Sequence, residues 1–217
     1  MVPSSMRLQT LHEARWIFAA LIVLAAISVP FLPWLSLFWG LLITYVFYFF
    51  RDPKRIIPSG PDVVVSAADG VVVEIKEMIE PEVLQVPMKR VAVFLSVFDV
   101  HVNRAPIEGR VSFLKHHPGR FLDARHPEAT RVNESQVWAF EGKTATLVVR
   151  QISGAIARRI VGWAKPGDHV RKGERFGMIR FGSRTEVYLP LESEICVKVG
   201  DRVQGGATVI AKIGAHP

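Results

Sequence analysis

From Trp16 to Phe50 the chain carries no Asp, Glu, Lys or Arg. A stretch of that composition cannot form the solvated surface of a domain, so it belongs in a core or in lipid. It divides in two. WIFAALIVLAAISV runs from Trp16 to Val29, PFLP interrupts, and WLSLFWGLLITYVFYFF runs to Phe50. A secretory signal has one apolar core and a small-residue cleavage site. Two cores joined at a Pro30/Pro33 turn predict instead an apolar helical hairpin over residues 1–50. The second run, about 17 residues, sits at the lower limit for a spanning helix, and the first reaches that length only by extending towards Pro33. The hairpin therefore crosses the bilayer or dips into one leaflet. Arg7 and Arg15 precede it, and Arg51, Lys54 and Arg55 follow. Basic flanks stay on the cytoplasmic side, which predicts a downstream domain at the cytoplasmic face of a bacterial-type inner membrane. Trp34, Trp39, Tyr45 and Tyr48 are rings of the kind found at membrane interfaces.

Every formal charge of the net +7 lies outside the hairpin cores. A basic remainder points to an anionic partner, nucleic acid or an anionic lipid surface, and the hairpin favours lipid. The aromatics concentrate in the hairpin, and the rest of the chain shows no interleaved basic-aromatic platform, which argues against nucleic acid. Cys196 is the only cysteine. An intrachain disulfide and a cysteine-based zinc cluster are thereby excluded. Adjacent His116 and His117 have no Asp, Glu or Cys at a convincing ligand spacing, so no metal is expected.

After RDPKRIIPSGPD, a linker over 51–62, the texture changes to short β-type runs: VVVSA, GVVVEI, RVAVFLSVF, GRVSFL, QVWAFEG, ATLVVRQI, RFGMIRF and TEVYLPL. Several alternate, and most end at Gly, Pro, Asp or Asn. Residues 63–217 are expected to be mainly β, with one short helical stretch conceivable over 154–161. An internal repeat is visible: Lys165-Pro-Gly-Asp-His-Val170 with Gly173 matches Lys198-Val-Gly-Asp-Arg-Val203 with Gly206. A turn-and-strand unit used twice resembles the barrel-sandwich hybrid of biotinyl and lipoyl carrier domains. Where those carriers display a modifiable lysine, this chain has Gly182-Ser183.

The Gly-Ser pair stands inside a strand-like run, where Gly is unfavourable unless the backbone needs it. The hydrolase elbow G-x-S-x-G is absent, since the local sequence is F-G-S-R-T. A serine hydroxyl can instead attack the carbonyl of the preceding residue, turning the peptide bond into an ester. Gly182 leaves that carbonyl unhindered. Elimination and hydrolysis then leave a pyruvoyl group on the new N-terminus, a ketone able to act as an electron sink.

FGSR at 181–184, ADG at 68–70, FFRDP at 49–53 and FLSVFDVHVNRAPIEGRV at 94–111 together resemble phosphatidylserine decarboxylase, in its shorter, membrane-anchored branch. The resemblance runs over nearly the whole chain. It implies self-cleavage between Gly182 and Ser183 into a β chain, 1–182, and an α chain, 183–217, that stay together as a heterodimer. It also implies a Schiff base between the pyruvoyl ketone and the amine of phosphatidylserine, loss of carbon dioxide, and release of phosphatidylethanolamine. A homo-oligomer is compatible with this scheme.

Asp69 alone reads as an Asp-Gly turn; the resemblance makes it the acid that orients or charge-stabilises the group deprotonating Ser183. His101 becomes the candidate for proton transfer, since an imidazole both accepts and donates near neutral pH. Asp99, two residues earlier, is placed to set its tautomer if the strand continues. The larger branch of the family has a second His three positions after the first; here Arg104 stands there. A guanidinium stays protonated and cannot be the base, so Arg104, and Arg184 after Ser183, are expected to hold substrate anions. His116, His117 and Arg120 form HHPGR, expected as a loop near lipid phosphates. His126, Arg158 and Arg159 are expected on the surface. The competing reading is a non-enzymatic membrane-anchored adaptor with a lipoyl-like β domain. It explains the hairpin and the repeat but not the joint occurrence of Gly-Ser, ADG and DVH.

Overall fold

A computed structural model describes residues 7–126, 128–155, 159–180 and 183–214. The chain divides into two compact units, Met1–Lys54 and Arg55–Pro217. The first contains helices α1 (Arg7–Ser28) and α2 (Leu35–Phe49). The prolines stop α1 before Pro30, so it gains length at its other end, taking in His12, Glu13 and Arg15. Twenty residues, Gln9–Ser28, are thereby long and apolar enough to cross a membrane, which favours membrane association. The 15 residues of α2 rise only about 22 Å, short of a hydrocarbon core of about 30 Å. Phe18 and Phe47 meet at 4.4 Å between ring centroids, and Trp39 Nε1 donates to Ser28 Oγ at 2.8 Å, tying the helices together.

The second unit is mainly β. Its strands are β1 (Val63–Val65), β2 (Gly70–Ile79), β3 (Pro87–Leu95), β4 (Val102–Arg104) and β5 (Gly109–His117). After the single-turn helix α3 (Ala129–Val132) come β6 (Ser135–Glu141), β7 (Thr146–Ser153), β8 (Ile160–Gly162), β9 (His169–Val170) and β10 (Arg175–Ile179). The last are β11 (Ser183–Pro190), β12 (Glu194–Ile195), β13 (Arg202–Val203) and β14 (Val209–Lys212). Residues 156–158 of the stretch considered as a helix over 154–161 lie outside the described residues; at its end Ile160 and Val161 pair with β10 as part of β8, as β-branched residues favour.

A curled antiparallel sheet of order β13-β2-β3-β11-β7-β6-β5-β9 carries the fold, with the smaller sheets β1-β14-β12 and β4-β10-β8 beside it. The long order is a palindrome about β11 and β7. Val71 lies opposite Phe94 with a register shift after Val72, and Arg110 lies opposite Glu141 with the same shift after Val111. The sequence repeat is part of this symmetry. Gly167 and Gly200 share φ of +96° and +97°, and Gly173 and Gly206 share +74° and +78°. Each copy donates its turn glycine N–H to the equivalent strand, Gly167 to Val111 and Gly200 to Val72.

Strand alternation sets two environments. Val187 and Leu189 of β11 enter the main core with Trp138, Phe140 and Phe176, each burial of this size stabilising by roughly 1.5–3 kcal/mol. Tyr188 faces the other way, among Met88, Val137, Ala139 and Val148.

Candidate active site

Ser183 opens β11 and is paired on both sides, with Leu95 of β3 and Ser153 of β7. It is fully buried, and its Oγ has no hydrogen-bond partner among the described residues. Phe181 and Gly182, and with them the other half of the expected scissile bond, lie outside the described residues, as does Arg158.

The chain is pinned on both sides of this position by the segment around β4. Upstream, Ile179 N–H donates to the His101 carbonyl at 3.2 Å. Downstream, Asn103 Nδ2 donates to Thr185 Oγ1 at 3.1 Å. The same Nδ2 donates to the Ala67 carbonyl at 3.2 Å, and Arg104 N–H donates to that carbonyl at 2.9 Å. One buried asparagine thus joins the strand of Ser183 to the Ala-Asp-Gly turn. Gln151 Nε2 donates to Asn103 Oδ1 at 2.7 Å, and Trp138 Nε1 to Gln151 Oε1 at 2.7 Å, completing the network. Sequence reasoning passed over Asn103; a polar side chain between Val102 and Arg104, in a run otherwise reading as strand, was the available signal.

His101 is fully buried, and its Nδ1 lies 3.0 Å from the Asp99 carbonyl. A carbonyl only accepts, so Nδ1 carries a proton, and when the ring holds one proton Nε2 is its basic nitrogen. The tautomer is therefore set by the Asp99 backbone and not by its carboxylate. That carboxylate accepts from Ser96 N–H at 2.8 Å, Ser96 Oγ at 2.6 Å and Arg202 Nη1 at 3.1 Å. Burial pushes Asp99 upward, but the Ser96 and Arg202 bonds outweigh it and hold the carboxyl below its ordinary range.

Asp69 stands in the turn before β2. Its Oδ2 accepts from Arg55 Nη2 at 2.6 Å and its Oδ1 from Gly205 N–H at 2.9 Å. Burial raises its pKa above the ordinary value despite both bonds. Gly70 follows with φ +147°, and a Cβ there would sit 2.0 Å from the Phe94 carbonyl oxygen, so no other residue fits so close to β3. Only β3 separates this turn from β11, two strand spacings or about 10 Å between backbones.

The two arginines expected at substrate anions are engaged with the protein. Arg104 is buried and donates through Nη1 to the Gly173 carbonyl at 2.9 Å. Arg184, on the opposite face of β11 from Ser183, donates through Nε to Glu186 at 2.8 Å and through Nη2 to Glu74 at 2.7 Å. Arg90 reaches the same Glu74 at 2.6 Å, and Tyr188 OH donates to Glu186 at 2.9 Å. HHPGR is not a loop throughout: His116 and His117 end β5, where His117 meets Glu82 at 2.8 Å. Arg120 follows on the exposed chain, and His126 and Arg159 are exposed.

The mainly β domain thus holds a buried serine whose hydroxyl has no partner among the described residues, a buried histidine oriented by a backbone carbonyl, and an aspartate paired with an arginine. The sequence model of the phosphatidylserine decarboxylase family matches residues 42–211. A phosphatidylserine decarboxylase proenzyme of Carboxydothermus hydrogenoformans is 45% identical over 203 residues, covering 93% of this chain and 95% of the relative. One of Symbiobacterium thermophilum is 41% identical over 215 residues, covering 97% and 99%. The chain belongs to the phosphatidylserine decarboxylase family.

Proposed function

We propose that this chain is a self-processing decarboxylase that converts phosphatidylserine to phosphatidylethanolamine, cleaved between Gly182 and Ser183 into chains 1–182 and 183–217. The observation that carries the reading is the pinning of the chain on either side of residues 181–183, by His101 and Asn103, around a buried serine hydroxyl with no partner among the described residues. An orphaned hydroxyl suits a group that is to be consumed, and the pyruvoyl group built from Ser183 would need no room beyond that of the serine itself. Its ketone would supply an electron sink for the lost carboxylate.

The protein's own residues do the rest. His101 Nε2 accepts the proton of Ser183 Oγ as that oxygen attacks the Gly182 carbonyl. In turnover the same nitrogen returns a proton to the substrate carbon that has lost carbon dioxide. Asp69, with Arg55 and the Gly205 N–H fixed to it, contributes negative charge near the site while the serine is activated. Arg104 and Arg184 hold the scaffold: Arg104 fastens β4 to the first copy of the repeat, and Arg184 balances Glu74 and Glu186. We read the fold as a barrel-sandwich hybrid, on the strength of the two matched hairpins. The apolar hairpin keeps the domain at the cytoplasmic face of the inner membrane, with α2 too short to cross by itself.

Intact mass under denaturing conditions tests the reading. The expected result is two chains divided at Gly182/Ser183, the smaller lighter by one ammonia than its sequence requires. Ser183→Ala and His101→Ala are expected to remain a single chain without decarboxylase activity, and Asp69→Asn to mature slowly. A Ser183→Ala protein with normal turnover would overturn the mechanism.

A further inference from the structure

Two loops project at the end of the sheet where Ser183 lies. Residues 96–100 lead from β3 to His101, and residues 198–201 form the turn of the second repeat copy ahead of β13. Arg202 Nη1 bonds Asp99 Oδ1 at 3.1 Å and fastens one loop to the other. At their tips Phe98 is 64% and Val199 58% exposed. Lys198 beside them is exposed, and the Arg202 side chain is 72% exposed. Single apolar residues on a surface are ordinary, so what matters is their arrangement.

The other half of the pseudosymmetric sheet supplies the comparison. Its equivalent turn carries Pro166 where Val199 stands and His169 where Arg202 stands. The connection that corresponds to residues 96–100 is the short link from β6 to β7, with no aromatic residue in it. That end opens instead on a cavity of about 500 Å³ lined by Glu108, Glu141, Lys143 and Lys172 among others. Of the two equivalent turns, the one with an apolar tip and cations beside it is therefore at the end that holds His101 and Ser183.

We propose that Phe98 and Val199 dip into the bilayer interface while Lys198 and Arg202 meet anionic head groups, seating the mouth of the site on the membrane. Aromatic and aliphatic tips gain by leaving water at that depth, and neighbouring cations are attracted by the surface potential. A lipid head group then enters towards Ser183 without its chains leaving the bilayer. The proposal rests on the reading of the substrate as a membrane phospholipid. It places a second membrane contact on the β domain, separate from the N-terminal helices.

The full-length processed protein, reconstituted in phosphatidylcholine vesicles containing phosphatidylglycerol, tests it. Cys196→Ser removes the single native thiol, so Phe98→Cys, Val199→Cys and, at the opposite end, Pro166→Cys each carry one environment-sensitive fluorophore. Blue-shifted emission quenched by spin-labelled lipid is expected at positions 98 and 199 and not at 166. Aqueous emission at all three, or equal quenching at 166, overturns the proposal. A Phe98→Ser/Val199→Ser protein is expected to keep its turnover of monomeric short-chain phosphatidylserine and to lose about tenfold in kcat/KM on vesicles. Equal loss on both substrates counts against docking. Absence of decarboxylation by the unmodified protein on either form would sink the substrate reading, while the fluorophores would still decide the membrane contact.

Discussion

A buried hydroxyl without a partner disfavours folding by about 1–3 kcal/mol, because its bonds to water are not replaced. Ser183 is such a group among the described residues, and maturation by the proposed route removes the hydroxyl and the penalty together. Asn103 has the opposite character, with both ends of its amide in use. Asn103→Ala would leave Gln151 Nε2 without its acceptor and would release Thr185 from the Ala-Asp-Gly turn. The expected result is a loss of about 2–3 kcal/mol in urea melting together with slowed appearance of the two chains by mass. Loss of stability with processing at the normal rate would make Asn103 a packing residue only.

At the scale of the element, β11 shows how alternation divides labour. Ser183 and Thr185 turn towards β4, while Arg184 and Glu186 turn to the other face and form a closed set with Arg90 and Glu74. Burial pushes Glu74 upward, but hydrogen bonds from Arg184 and Arg90 prevail and leave its carboxyl below the ordinary range. A carboxylate whose pKa falls on folding stabilises above its unfolded value and loses that contribution as pH falls through the folded one. The advantage of the wild type over Glu74→Gln should be level from about pH 8 to about pH 5 and shrink below about pH 4. Urea melts at several pH values check this; an advantage unchanged at about pH 3 would show that charge is not its source.

At the scale of the molecule, cleavage before Ser183 would leave the smaller chain woven through the larger. It supplies β11, held between β3 and β7, β13 on the edge of β2, and β14 against β1. Pairing on both sides of a central strand is not undone by cutting one peptide bond at its end. The two chains are expected to elute as one particle in native chromatography and to separate only in denaturant. Separation under native conditions would mean that β11 is not held as the sheet order requires.

Much of this could be read along the chain. The absence of charge from Trp16 to Phe50 determined an apolar hairpin, because no other environment tolerates that composition. Alternating runs bounded by turn residues determined the strands, and the repeated K-x-G-D-x-V determined two equivalent turns, since each depends on a few neighbouring φ angles. Gly182-Ser183 and Asp69-Gly70 stood out for the same local reason. What the chain order could not supply was which way a polar side chain in a strand would face, and what would meet it. Arg104 and Arg184 had the charge for a substrate anion, and only the packed sheets send them to Gly173, Glu74 and Glu186. Asn103 looked ordinary until Ala67, Gln151 and Thr185, distant in sequence, were brought around it. Hydrogen-bond partners are chosen by register between strands far apart in the chain, and that register exists only once the sheet has closed.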